Sequence, residues 1–63
     1  MKINLKIGDM VKYCINPIYE TEYLIVLEFK YGAVMFYSID DQRIVSVSIP
    51  FIEKYTQYFK RLS

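Results

Sequence analysis

Apolar and polar residues alternate in two short runs at the start of the chain. Apolar side chains occupy every second position of residues 2–7 and again of residues 10–15. A period of two is typical of strands that bury one face. Gly8 and Asp9 separate the two runs, and both residue types favour tight turns. The pattern therefore predicts two strands joined by a turn at Gly8 and Asp9.

A longer alternating run follows a loop. Pro17 cannot donate a backbone hydrogen bond and restricts the residue before it, so residues 16–21 are predicted to form a loop. Residues 22–31 then read as a strand whose odd-numbered positions are all apolar, and Gly32 permits a turn. The odd-numbered side chains are expected to face the core: Tyr23, Ile25, Leu27, Phe29 and Tyr31.

Two further strands are indicated before the period changes. Residues 33–37 are apolar on both faces, which predicts that the strand over residues 33–39 is a central one, covered on both sides or leaving an apolar patch exposed. The sequence Asp40-Asp41-Gln42-Arg43 is typical of a turn, and residues 44–49 alternate cleanly as a fifth strand. The five runs together predict an antiparallel meander.

The last segment has the spacing of a helix. Apolar residues fall at offsets 0, 1, 4, 7, 8 and 11 from Phe51, which is a helical stripe, so a helix is predicted over residues 50–62. Pro50 suits the first helical turn, and Lys60 and Arg61 suit the negative end of the helix dipole. We expect this helix to cover one face of the sheet.

The turn region carries a family resemblance. Gly8-Asp9-Met10-Val11-Lys12 resembles the Gly-Asp-x-Val entry of small SH3-like barrels, including KOW and Tudor-type modules. The expected fold is thus one mainly β (α+β) domain over residues 1–63. It is a five-stranded antiparallel meander or an SH3-like partly open barrel, capped by one C-terminal helix. The pattern departs from the family where Ile15-Asn16-Pro17 replaces a glycine and where a helix replaces the short final strand.

The composition of the chain favours a folded domain and argues against several kinds of catalytic and metal site. Sixty-three residues suffice for one small core, and hydrophobic residues make up 54% of them, so a folded single domain is expected. The chain contains no His, which removes the commonest general base and metal ligand, and Cys14 is its one cysteine. We therefore expect no enzyme, no cofactor and no metal site. The lone cysteine and the absence of a signal-like or membrane-spanning apolar run favour the cytoplasm.

Charge and tyrosine content point to binding. The net charge is +1, but both terminal segments are basic and the middle is acidic, so termini that meet would form a basic side. Seven tyrosines exceed what so small a core can hold, and tyrosine is favoured at interfaces. The candidate contact residues are Tyr19, Tyr31 and Tyr37 together with Lys2, Lys6, Lys12, Lys54, Lys60 and Arg61.

Two functions compete on these grounds. The first is a non-enzymatic module that docks on a host protein and modulates or inhibits it. A phage or mobile-element origin is plausible for it, because the excess of Ile, Lys, Tyr, Asn and Phe is typical of an AT-rich gene. The second is a nucleic-acid-binding barrel that places its cations on phosphates. Homodimerisation would use the same tyrosines. No membrane partner is expected.

Overall fold

The computed structural model describes residues 3–14 and 21–62. Its strands are β1 (Met10–Tyr13), β2 (Glu22–Lys30), β3 (Ala33–Ser38), β4 (Arg43–Ser48) and β5 (Phe59–Arg61). A short helix, α1 (Ile49–Lys54), and a 3-10 turn (Thr56–Tyr58) connect β4 to β5. The strands form one open antiparallel sheet in the order β4-β3-β2-β1-β5, which confirms the expected mainly β class. Most of the expected loop over residues 16–21 lies outside the described residues.

The first predicted strand does not form within the described part of residues 2–7. Leu5 is buried in the core, but residues 3–7 make no strand. The expected turn is present: Gly8 has φ 92°, and the Asp9 carboxylate accepts the Lys6 N–H at 2.8 Å. The reason is competition for one sheet position, because β5 occupies the edge of β1 that the N-terminal run would have used.

The predicted inward face of β2 is wrong. Leu24 and Val26 are buried, whereas Tyr23, Leu27 and Phe29 are all more than a third exposed. The pairing with β3 shifts between Val26 and Glu28, so Leu27 forms a β-bulge. A bulge changes which side chains share a face. Apolar residues stand on both sides of this strand, and the sheet buries the even-numbered ones up to the bulge.

The β-hairpins agree well with the sequence pattern. Tyr31 and Gly32 both have positive φ, which is the backbone of a tight two-residue hairpin turn between β2 and β3. The expected turn after β3 spans residues 39–42, and β4 matches the predicted strand to within one residue. However, β3 is not the central strand, because β2 occupies the middle of the sheet.

The predicted helix over residues 50–62 is too long. The Ser48 hydroxyl accepts the Phe51 N–H at 3.3 Å and Pro50 lies in the first turn, as expected of a helix start. The helix ends at Lys54, and Tyr55 leaves helical backbone angles at φ −120°, ψ 43°. Phe59–Arg61 then pairs with β1, so the chain does have a short final strand and the expected departure from the SH3-like pattern is wrong.

The core lies on one face of this sheet. Its fully buried side chains come from β1, β2, β3 and α1, and Leu5 and Phe59 complete it. Ile52 is the residue of α1 that enters this core, where it is fully buried. The helix therefore covers the inner face of the sheet, as predicted, although only over its short length. No helix among the described residues is long and apolar enough to cross a membrane.

Candidate functional site

An apolar row crosses the outer face of the sheet. The strand register pairs Met10 with Ile25, Ile25 with Tyr37, and Tyr37 with Ile44, so these four residues lie side by side on β1, β2, β3 and β4. Their chain neighbours Val11, Leu24 and Phe36 are buried in the core. Because successive side chains of a strand point to opposite faces, the row lies on the face away from the core. We call these four residues the outer row.

The outer row is partly accessible to a partner, most of all at Ile44. Met10, Ile25 and Tyr37 are half-buried by their neighbours, and Ile44 is 60% exposed at the sheet edge. Tyr23 and Leu27 flank the row on β2, and both are more than a third exposed. Contiguous exposed apolar surface of this kind is unusual on a small monomer and typical of an interaction site.

Two lysines border the outer row. Lys12 on β1 pairs with Lys60 on β5, and on its other side with Tyr23 on β2. Phe59, the neighbour of Lys60, is buried, so Lys60 belongs to the outer face as Lys12 does. Like charges opposite each other on neighbouring strands are unfavourable. The pair therefore gives this end of the face a positive potential that an acidic partner would relieve.

The remaining predicted cations do not extend this basic region. Arg61 pairs with inward-facing Val11, and its Nε lies 3.1 Å from Asp9 Oδ2, so its charge is already engaged. Lys54 is the last residue of α1, with its Nζ 5.4 Å from the centre of the Tyr55 ring. Lys6 is exposed before the first turn. The structure thus brings together Lys12 and Lys60, and it places Arg61 on the other face. Lys2 lies outside the described residues.

The tyrosine candidates occupy different places. Tyr37 belongs to the outer row, whereas Tyr31 is 94% exposed at the tip of the β2–β3 turn, with Lys30 Nζ 5.3 Å from its ring centre. Tyr19 lies outside the described residues. Met10 and Ile44 were not among the predicted contact residues, and Ile25 was predicted to face the core. A signal for Ile44 was available, since Val45 and Val47 alternate inward and leave Ile44 on the opposite face.

A second feature is a groove of about 380 Å³ where the two sheet edges approach each other. It lies beside β4, and the wall opposite includes aromatic side chains of β1, α1 and β5, with Tyr13 and Phe59 ring centres 4.7 Å apart. Burial raises the pKa of Tyr13, and the nearby charges of Glu22 and Tyr58 raise it further. Glu22, Asp41 and Arg43 supply the charges of the groove. Its lining residues are Tyr13, Glu22, Leu24, Asp41, Arg43, Val45, Ser46, Val47, Ser48, Phe51 and Phe59.

Both features suit recognition of a surface or a chain segment. Within residues 3–14 and 21–62, no three His, Cys, Asp or Glu side chains gather where they could hold a metal ion. Cys14 is half-buried, and its backbone N–H donates to the Tyr58 carbonyl at 2.9 Å, which fixes the end of β1 next to the 3-10 turn. Comparison with known proteins gives no matching family model, no matching curated protein and no matching solved structure.

Proposed function

We propose that this chain is a non-enzymatic binding module that docks on a host protein through its outer row and thereby modulates that protein. The observation that carries the proposal is the register that aligns Met10, Ile25, Tyr37 and Ile44 across four strands on the face opposite the core. A sheet face that only contacts water usually alternates polar residues at these positions. Here every strand of the row contributes an apolar side chain.

The charges beside the outer row define the partner further. Lys12 and Lys60 oppose each other next to exposed Tyr23, so the complementary surface is apolar at its centre and carries carboxylates at one side. Such complementarity mainly raises the association rate and selects the partner, while apolar burial supplies affinity. The skewed composition supports a phage or mobile-element origin, in which the partner belongs to the host.

Nucleic-acid binding is the second candidate. Two lysines beside an exposed tyrosine are the combination that binds the backbone and stacks on a base of a single strand. Against it, Arg61 lies on the other face, with its Nε 3.1 Å from Asp9 Oδ2, so this face presents fewer cations to phosphates than the sequence predicts. The apolar outer row favours the protein partner.

The test is a tagged pull-down from bacterial lysate at moderate salt, with and without nuclease, using matched variants. Ile44→Glu puts a charge into the outer row, and Ile7→Glu puts the same charge at an equally exposed isoleucine outside it, since Ile44 is 60% and Ile7 68% exposed. We expect one protein to be retained at near-equal stoichiometry by the wild type and Ile7→Glu, but not by Ile44→Glu. Circular dichroism must show that both variants fold.

Other outcomes of this pull-down would count against docking. Retention of the same protein by Ile44→Glu would remove the outer row as the interface. Retention of nucleic acid alone, lost as salt rises, would favour the second candidate. In that case the double variant Lys12→Gln, Lys60→Gln should have a shallower dependence of log K on log salt concentration. The decrease in slope should correspond to about two lost phosphate contacts.

A further inference from the structure

The two edges of the sheet differ in how well they are protected from pairing. β5 is only three residues long and carries Lys60 and Arg61, which are features that blunt an edge. β4 is six residues long, has Arg43 as its single charge and contains no proline. Among the described residues, the strand order leaves β4 with β3 as its one neighbour. β4 is thus the edge that can accept another strand.

The hydrogen-bonding pattern between β3 and β4 shows which backbone groups of β4 are available to pair with another strand. The Ile49 N–H donates to the Gly32 carbonyl at 2.9 Å, so Ala33 and Ser48 form a non-hydrogen-bonded pair of the antiparallel ladder. Hydrogen-bonded and non-hydrogen-bonded pairs alternate. Val45 and Val47 therefore bond to β3. Ile44 and Ser46 direct their backbone N–H and C=O groups to the open edge.

The groove lies along this open edge. Four successive β4 residues line it: Val45, Ser46, Val47 and Ser48. Because the side chains of successive strand residues point to opposite faces, a groove lined by all four follows the edge of β4, and Glu22 and Leu24 of β2 line it from the inner face. The aromatic side chains of Tyr13, Phe51 and Phe59 also line the groove. A volume of about 380 Å³ falls within the range of small-ligand pockets and admits a few residues of extended chain rather than a second folded domain.

The charged side chains of the groove indicate which kind of extended peptide would fit it. The groove holds the carboxylates of Glu22 and Asp41 and the guanidinium of Arg43. Arg43 Nε lies 3.8 Å from Asp41 Oδ2, and both side chains are largely exposed, so this ion pair is weak. One negative charge of the groove is left over. A segment with Lys or Arg at its ends complements the groove better than an acidic one.

We propose that the groove binds an extended peptide of another protein, with apolar residues between basic ends, by adding it to β4 as a sixth strand. Its backbone bonds to the outward groups of Ile44 and Ser46, and its apolar side chains contact the aromatic wall of Phe51 and Phe59. Backbone pairing supplies affinity and the side-chain pockets supply selectivity in this mode of recognition. No outer-row residue lines the groove, and the added strand uses only the backbone of Ile44, so this inference does not depend on the proposed docking function.

The first test uses defined peptides and fluorescence anisotropy. The probe is a fluorescein-labelled, end-capped Lys-Val-Thr-Val-Thr-Val-Lys peptide, and its counterpart carries Glu at both ends. We expect the basic peptide to bind and the acidic one to bind about tenfold more weakly. Equal binding of the two, or no binding of either, would overturn the proposal. Binding by a second copy of this chain instead would appear as concentration-dependent self-association in sedimentation, and it would also overturn the proposal.

Matched variants test whether the peptide pairs with the open edge of β4. Ser46→Pro removes an outward N–H without removing a bond to β3, and proline is tolerated at such edge positions. Ser46→Ala keeps that N–H. We expect Ser46→Pro to abolish peptide binding and Ser46→Ala to retain it; retention by both would contradict strand addition. Glu22→Gln should weaken binding of the basic peptide, whereas Glu28→Gln, on the same strand outside the groove, should not.

Peptide methylation gives the same information if Ser46→Pro fails to fold. Alternate amides of an added strand face β4, so N-methylation at odd residues and at even residues should have different effects. One methylated peptide should lose binding and the other should keep it; equal behaviour of the two would refute the added strand. Tyr37→Ser, in the outer row, should leave peptide binding unchanged even where it abolishes docking, which separates the two proposals.

Discussion

The Asp9 carboxylate connects the first turn of the chain to its last strand. Its Oδ2 lies 3.1 Å from Arg61 Nε and also accepts the Lys6 N–H at 2.8 Å. Asp9 is buried, with 9% of its surface exposed, so these two partners stabilise its carboxylate in place of water. The Gly-Asp element noted in the sequence therefore holds β5 against β1 as well as forming a turn.

We expect Asp9→Asn to lower the free energy of unfolding by about 1.5 kcal/mol, because a charge-assisted hydrogen bond and an ion pair are weakened together. Arg61→Gln should cost less, since its side chain is 45% exposed. Urea unfolding of both single variants and the double variant measures the coupling, which should be about 0.5–1 kcal/mol. Strictly additive effects would show that the two side chains act independently.

Ile52→Ala should leave little folded protein. Ile52 is fully buried, and truncation of such a residue costs about 2–5 kcal/mol, against about 3–5 kcal/mol available to a domain of this size. Phe51→Ala is the matched control in the same helix, because Phe51 is 39% exposed. It should lower stability by about 1 kcal/mol. Thermal unfolding followed by circular dichroism compares them, and similar losses would contradict the assigned core position of α1.

Alkaline pH should destabilise the fold through Tyr13. Burial, with a smaller contribution from Glu22 and Tyr58, raises its pKa above the ordinary value of 10.0. Between 10.0 and the raised pKa the folded state therefore binds more protons than the unfolded state, and stability falls as pH rises. Below that window the contribution is fully present.

Tyr13→Phe removes this titration. Its unfolding free energy, subtracted from that of the wild type, should be constant below about pH 10 and decline above it. Urea unfolding at a series of pH values gives this difference, and tyrosines that do not interact with Tyr13 cancel in it. Tyr31→Phe, at an exposed position, is the control. A difference that stays flat at high pH would argue against the assigned environment of Tyr13.

Tyr31→Asn should stabilise the protein although it removes an aromatic side chain. Tyr31 has φ 54°, a left-handed conformation that Asn adopts more readily, and relief of this strain is worth about 1 kcal/mol. Loss of the exposed Lys30 contact offsets about half of it. Thermal unfolding should show a net gain, whereas Tyr23→Asn, within β2, should show a loss. No gain at residue 31 would mean that the turn favours tyrosine.

The turns and the approximate positions of β1 to β4 were predictable because their signals are local. Gly8 and Gly32 lie at turns in the structure as the sequence indicates, since turn geometry depends on adjacent residues. The inward face of β2 was not predictable. Tyr23 and Leu24 are both apolar, so a period of two identifies a strand there but not its buried side. The bulge at Leu27 adds a shift that only the pairing with β3 reveals.

The candidate sites were predictable only in part. Tyr37 was expected at a contact surface on an apolar strand, and it lies in the outer row. The row itself depends on register across four strands, which is a relation between distant residues. The groove depends on where the two edges of the sheet approach each other. Neither relation can be predicted from the spacing of residues along the chain.

The sequence by itself determined the mainly β class, the turns and the start of the helix at Pro50, because these follow from local backbone preference and hydrophobic period. Tertiary structure decided which part of the last segment forms a helix and which part forms a strand. The stripe from Phe51 to Leu62 fits a helix, yet Phe59–Arg61 becomes β5, since pairing with β1 and the Asp9–Arg61 contact outweigh a weak helical preference. The same pairing takes the sheet position of the N-terminal run, so one non-local choice settled both ends of the chain.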